Sequence, residues 1–379
     1  MCSILPDRGI SKFSVFTRGI RMELKEQNIL FFTRTMGLGG TENVVLQLCE
    51  VFKPYVNKIV VCSSGGVHEK DLKDMGIMHY LIPDIEHKSI GNFITVTKRL
   101  KRIIDSENIT VIHTHHRMAA FYCQMIRLNK KISLINTSHT AFYDKRRLTH
   151  IAFKRFKLIA CGEGVKNSLV NGLGFDPMQI HVICNGIKEP DESIIPIPEI
   201  KKERVKGKQI VAAIGRLSSE KGIDYLVKSF KHIQNDDVIC VIVGTGPEKE
   251  SIEQLISELG LSDKFLMLGY RQDVANIIKQ VDIVIQPSLQ EGLPLVPIES
   301  FSVGRPVIGT EIDGTTEIIE NGINGQLVPP ANEYELAKAI DKMVSINRSD
   351  LEKNAKSTFI SKYSFDVFAN NYLDFYRGL

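Results

Sequence analysis

From residue 28 almost to its end, this chain alternates short, wholly apolar runs with longer amphipathic stretches. A short apolar run is a strand covered on both faces, and an amphipathic stretch is a helix with one face on a sheet. Their regular alternation leaves one architecture, parallel strands joined by helical crossovers on both sides of a sheet. Runs at 28–33, 58–62, 111–113, 133–136, 158–160 and 180–183 read as strands, with helices at 41–52, 90–105 and 164–173. The pattern stops over 188–208, where Pro190, Pro196 and Pro198 stand among Glu and Lys, and this stretch reads as a linker. It restarts with strands at 209–214, 238–243, 265–268, 283–286, 306–309 and 325–328. Helices are expected between them at 223–233, 248–259, 274–280, 295–303 and 315–320, and after them at 333–346.

The expected fold class is therefore α/β, with two Rossmann-like, doubly wound domains facing across a cleft. At 379 residues the chain exceeds one ordinary core. The expected division is a loose leader at 1–22, a first domain at 23–187, the linker, and a second domain at 209–359. Such units bind ligands outside the carboxyl ends of their strands. The leader carries Arg8, Lys12, Arg18 and Arg21, but its apolar runs are too short for a signal peptide, and Met22 offers a second start. No run of 18 apolar residues exists to span a bilayer. Seven cysteines, an odd number with no C-x-x-C pair, argue for a reducing cytoplasm rather than a disulfide framework.

The net charge of +4 hides an asymmetry: residues 1–189 hold 27 Lys/Arg against 16 Asp/Glu, and residues 190–379 hold 21 against 28. Either the basic half meets an anionic partner, such as a membrane surface, or it is a solvated face that complements the acidic half. Nucleic acid is not expected, because the basic clusters at 98–102 and 145–147 lack interleaved aromatics.

The strongest chemical signal is Pro287-Ser288-Leu289-Gln290-Glu291-Gly292-Leu293-Pro294-Leu295-Val296-Pro297-Ile298-Glu299. It follows a buried strand and opens a helix. Gly292 lets main chain approach a ligand, and the amides of Leu293, Leu295 and Val296 are expected to point from the helix start toward a phosphate. Glu291 and Glu299 can accept hydrogen bonds from sugar hydroxyls. Phosphate donors beside hydroxyl acceptors suit a sugar nucleotide; the bland alternative is an ordinary helix start with surface acids. In the first loop of the second domain, Arg216 can grip a phosphate bidentately and Lys221 adds a point charge, unless Lys221 merely pairs with Glu220. No D-x-D and no clustered metal-ligand set occurs, so no metal and no other cofactor is expected. Gly37-Leu38-Gly39-Gly40-Thr41-Glu42 follows the first strand but is not G-x-G-x-x-G, which weakens a dehydrogenase reading. His115 and His139 fall at strand ends in the first domain, where a ligand is expected.

In this order these motifs resemble retaining glycosyltransferases of family 4, which have the GT-B fold. The resemblance spans about 27–375. It rests on Gly39-Gly40-Thr41-Glu42, His115, the Arg216 and Lys221 pair, 243–247, Leu268-Gly269-Tyr270, the Glu291 to Glu299 motif with Gly304-Arg305-Pro306-Val307-Ile308 after it, and Gly314-Thr315-Thr316-Glu317. It implies that the first domain takes the acceptor and is completed by a C-terminal helix within 360–379, and that the second takes the donor. Arg216 and Lys221 would hold the donor diphosphate, and Glu299 the ribose. Glu291, Gly292, Leu293, Pro294 and Leu295 would hold the sugar and β-phosphate, and Gly269 and Tyr270 would meet the base. Gly39 and Gly40 would touch the phosphate, and His115 the sugar, with His139 and Thr41 as further acceptor or sugar contacts. Gly162 departs from the family, which often has Ser there. The resemblance implies transfer from a nucleotide sugar, a UDP-sugar, to a lipid-linked glycan acceptor at the inner face of the cell membrane in polysaccharide synthesis. A sugar-nucleotide epimerase or hydrolase, or a non-catalytic binding subunit, would use the same fold.

Overall fold

The computed structural model describes residues 24–129, 131–141 and 144–379. The expected leader at 1–22 lies outside them. Two compact units emerge. The first holds the chain up to Ala160, Ser168–Ile183 and Ala369–Leu379; the second holds Cys161–Asn167 and Cys184–Phe368. The expected boundaries shift accordingly. A short segment after residue 160 belongs to the second unit, and the last helix, Phe365–Arg377, divides after Phe368.

The first unit is a seven-stranded parallel sheet of β1 (Asn28–Phe32), β2 (Lys58–Ser63), β3 (Met78–Leu81), β4 (Val111–Thr114), β5 (Ser133–Ser138), β6 (Lys157–Ala160) and β7 (Ile180–Val182). Its strand order is β3-β2-β1-β4-β5-β6-β7. The order reverses between β1 and β4, so the loops after those two strands flank the place where such sheets leave a crevice. The last helix returns to this unit, with Phe52 against Tyr376 at 4.2 Å between ring centroids.

The second unit is a six-stranded parallel sheet of β8 (Gln209–Ile214), β9 (Val238–Val243), β10 (Phe265–Gly269), β11 (Ile283–Gln286), β12 (Val307–Thr310) and β13 (Gly325–Val328), in the order β10-β9-β8-β11-β12-β13. Its switch point lies between β8 and β11. All six residues of β9 are buried, which is how a central strand covered on both faces should read. Each large aliphatic side chain buried there contributes roughly 1.5–3 kcal/mol.

The expected linker is not structureless. It contains the helix Pro198–Val205, with proline at the first helical position, where its missing N–H costs nothing, and with Ile200 buried. The six described cysteines are free thiols. No helix among the described residues is long and apolar enough to cross a membrane.

Candidate functional site

In the second unit, the loops after β8 and β11 carry the motifs and are packed together. The chain turns at Gly222 with φ +62, and a Cβ there would stand 2.2 Å from the Pro287 carbonyl oxygen. The Leu289 amide donates to the Glu220 carbonyl at 2.8 Å. This approach delivers Lys221 to Glu291, Nζ to Oε1 at 2.6 Å. The same oxygen accepts from Gln286 Nε2 and from Ser288 Oγ, each at 2.7 Å. Lys221 therefore does not pair with Glu220, which takes the Ser218 hydroxyl instead. Arg216 is exposed and makes no ion pair among the described residues, so its guanidinium is available to an anion.

The helix Leu295–Ser302 starts at Leu295, with Pro294 as its N-cap. Its free first-turn amides are those of Leu295 and Val296, because Pro297 has none. Leu293 lies outside the helix, one residue before the cap, so its amide is not among the helix-end donors. Glu299 falls in the second turn, and its carboxylate takes no hydrogen bond among the described residues. Burial pushes that carboxyl up to about 7. A largely buried acceptor with no protein partner is costly unless water or a ligand supplies donors. Gly292 packs so tightly under Gly314 that a Cβ on the latter would meet the Gly292 carbonyl oxygen at 2.3 Å. Gly269 closes β10 and its carbonyl accepts from the Gly244 amide at 2.7 Å; Tyr270 beside it is half exposed.

In the first unit, Gly39 is the N-cap of the helix Gly40–Phe52, which Thr41 continues. Glu42, at the third helical position, accepts from Thr35 Oγ1 at 2.5 Å and so ties the glycine loop to the end of β1. His115 follows β4 and His139 follows β5. Their rings stack at 5.3 Å between centroids, and His115 Nδ1 lies 3.0 Å from His139 Nε2. His113, not singled out as a site residue in the sequence, also stacks against His115, at 4.4 Å between ring centroids. It is held at 2.8 Å by both Tyr376 Oη and Thr137 Oγ1, and Thr137 in turn meets Tyr372 Oη at 3.1 Å. Burial, with His113 and His139 alongside, holds the His115 imidazole well below the ordinary histidine range, and burial pushes His139 down to about 4. The stack is therefore neutral near pH 7. His115 Nε2 is buried and has no partner among the described residues.

His115 and His139 line a cavity of 1030 Å³, with Thr41 at its edge. Its walls combine Phe93, Phe121 and Leu148 with both signs of charge, Lys88 and Glu86, and Arg117 and Lys145 each paired with Asp144. The loop departure at Gly162 has a local cause: a Cβ there would meet Glu317 Oε2 at 2.6 Å. Glu317 also receives the Cys184 thiol at 3.5 Å.

Carboxylates, cations and free amides gathered at the switch point of a doubly wound sheet define a nucleotide-type binding unit for a ligand both anionic and rich in hydroxyls. A family model described as glycosyl transferases group 1 matches residues 197–358, and one described as glycosyltransferase family 4 matches residues 38–189. Among curated relatives, the Escherichia coli UDP-Gal:alpha-D-GlcNAc-diphosphoundecaprenol alpha-1,3-galactosyltransferase is 25% identical over 359 residues, covering 86% of this chain and 90% of its own. A glycosyltransferase of Methanocaldococcus jannaschii is 25% identical over 299 residues, covering 73% and 77%. The crystal structure of Anabaena HepE in complex with UDP superposes with a TM-score of 0.81 at 20% identity, covering 93% of this chain and 100% of that one. This chain belongs to the group 1 glycosyltransferases, and its two Rossmann-like domains are those of the GT-B fold.

Proposed function

We propose that the chain transfers a sugar, with retention of anomeric configuration, from a UDP-sugar to a lipid-linked or glycan acceptor in cell-surface polysaccharide synthesis, without a metal. The observation that carries this reading is the meeting of Lys221 and Glu291 at the β8/β11 switch point, beside a helix whose Glu299 carboxylate has no hydrogen-bond partner among the described residues. As the glycosyl bond breaks, negative charge grows on the leaving diphosphate. Arg216, Lys221 and the amides of Leu295 and Val296 supply fixed positive charge for it, which is electrostatic stabilisation needing no metal. Glu299 takes the ribose hydroxyls. Glu291, with the backbone from Gly292 to Leu295, takes the sugar and β-phosphate. Gly269 and Tyr270 meet the base. UDP in the HepE complex and the UDP-Gal substrate named for the E. coli relative support uridine.

The cavity beside His115 and His139 takes the acceptor, its mixed apolar and charged walls suiting an amphiphilic glycan carrier. Purified protein given a panel of UDP-sugars and a polyprenol-diphosphate-linked sugar should form product in the presence of EDTA, with the donor's anomeric configuration kept. Donor breakdown without acceptor would point instead to a hydrolase or epimerase. Donor binding with no transfer to any acceptor would point to a binding subunit.

The enzyme works at the inner face of the membrane. Support comes from one surface of the first unit, where Leu81 on edge strand β3 and Ile94 on the helix Ile90–Ser106 are exposed beside Lys98, Arg99 and Arg102. Arg99 reaches the Leu81 carbonyl at 3.5 Å, which joins the two elements into one patch. Each cation near an anionic leaflet contributes about 1 kcal/mol. Lys98→Ala with Arg102→Ala should therefore weaken binding to vesicles containing phosphatidylglycerol about 30-fold, measured by flotation. Equal flotation of the variant and the parent protein would exclude this surface.

A further inference from the structure

We infer that Gln286 and Ser288 are positioning residues that fix the Glu291 carboxylate and thereby set which donor sugar is accepted. The inference rests on the donor site proposed above. β11 is buried throughout, and it ends in a glutamine after three aliphatic residues. A buried primary amide is costly unless its hydrogen bonds are made. Gln286, 3% exposed, makes two on one side: Nε2 donates to Ser288 Oγ at 2.8 Å and to Glu291 Oε1 at 2.7 Å. Ser288, fully buried, passes its own hydrogen to the same Oε1 at 2.7 Å. Thr310 Oγ1 on β12 donates to the Ser288 carbonyl at 2.5 Å and pins the loop from below. With Lys221 at 2.6 Å, three donors from two segments, the loop after β8 and the end of β11 with the loop that follows it, converge on one carboxylate oxygen.

The consequence follows from the acceptor capacity of a carboxylate. Three donors saturate Oε1 and fix the plane of the group, while Oε2 receives none among the described residues. Glu291 thus presents one acceptor oxygen in one direction. Only hydroxyls at one position of the donor sugar, or at two adjacent ones, can meet it, and a sugar lacking them leaves a charged oxygen unpaired. Such sites reject the lacking analogue far more strongly than apolar pockets do. Lys221 alone would not give this selectivity, because a flexible ammonium holds charge but not orientation.

Gln286→Met keeps the length of the side chain and removes both donated bonds. The measurement is donor kinetics with whichever of UDP-glucose, UDP-galactose and UDP-N-acetylglucosamine the enzyme uses, and with the monodeoxy analogues of that sugar, alongside the affinity for UDP. The expected result is about a 10–30-fold loss of kcat/KM for the natural donor and at least about a 10-fold loss of discrimination against one deoxy analogue, with UDP affinity within about twofold. A merely structural role would lower stability and leave discrimination alone. Ser288→Ala, a smaller change at the same oxygen, should give the same pattern and serves if Gln286→Met does not fold. Discrimination kept in these variants but lost in Glu291→Gln overturns the inference. Discrimination kept in Glu291→Gln overturns the donor-site reading itself.

Discussion

Lys221→Met should lower kcat by about two to three orders of magnitude, the usual loss when one preorganised positive group is removed from a developing anion. The variant has a second effect that must be separated. Among the described residues Lys221 is the only cation on Glu291 Oε1, so its removal also leaves that carboxylate with two neutral donors. A double-mutant cycle resolves the two. If Lys221 serves only to hold Glu291, then Lys221→Met in a Glu291→Gln background costs nothing further. If it serves the leaving diphosphate, the double variant loses at least about tenfold in kcat beyond Glu291→Gln alone, and product UDP binds more weakly. Arg216→Ala should act in the same direction without disturbing Glu291, because Arg216 is exposed and makes no ion pair among the described residues. Transfer at the parent rate in both single variants would remove Lys221 and Arg216 from the diphosphate site.

Buried parallel strands were legible in the sequence because burial on both faces leaves only apolar residues to choose from. β8, β9 and β11 begin and end at the residues read for them, although β8 opens and β11 closes on a glutamine. β3 was not, since an edge strand with Met78 and Leu81 facing solvent has no apolar run to mark it. The helices Arg117–Met125 and Arg146–Phe153 were missed for another reason. The second opens within the basic cluster at 145–147, and the buried faces of both, Ala119 to Cys123 and Thr149 to Phe153, are short. The helix Pro198–Val205 was hidden by prolines that read as breakers and in fact include its first residue.

Motif spacing located the loops of the candidate site but not their pairings. Glu291 and Glu299 could be named from eight-residue spacing ahead of and inside one helix. Nothing local says that Lys221, 70 residues earlier, ends on Glu291 rather than on Glu220 next to it. That follows only from the adjacency of β8 and β11 at the switch point, a property of strand order. The one available hint of Gln286 was a polar residue closing an otherwise aliphatic strand. His113 gave less, because its role depends on Tyr372 and Tyr376 near the far end of the chain.

Raising the pH from 6 to 8 should lower the stability of the ligand-free protein and raise its affinity for UDP, both through Glu299. Burial lifts this carboxyl from 4.5 to about 7. The folded state therefore favours the protonated form. The associated stability is fully present below 4.5 and is lost as pH rises through 7, up to about 3 kcal/mol. Ribose hydroxyls donate best to the ionised form, so UDP binding pulls the group down and releases a proton when it occurs below pH 7. Affinity must then rise with pH across the same interval. Glu299→Gln keeps the shape and cannot ionise, so thermal melting and UDP titrations of this variant should both show a shallower pH dependence through this window, lacking the part that Glu299 contributes. Its UDP affinity above pH 8 should fall about 100-fold, the loss of two hydrogen bonds to a charged acceptor. A uridine diphosphate lacking the 2′ and 3′ hydroxyls should bind the parent protein with a smaller rise, the remainder coming from its terminal phosphate, which loses its second proton at about pH 6; the difference ties the Glu299 effect to the ribose. Pyrophosphate should behave likewise. If Glu299→Gln kept the full pH dependence of UDP affinity, the titrating group would lie elsewhere and the ribose contact would lose its basis.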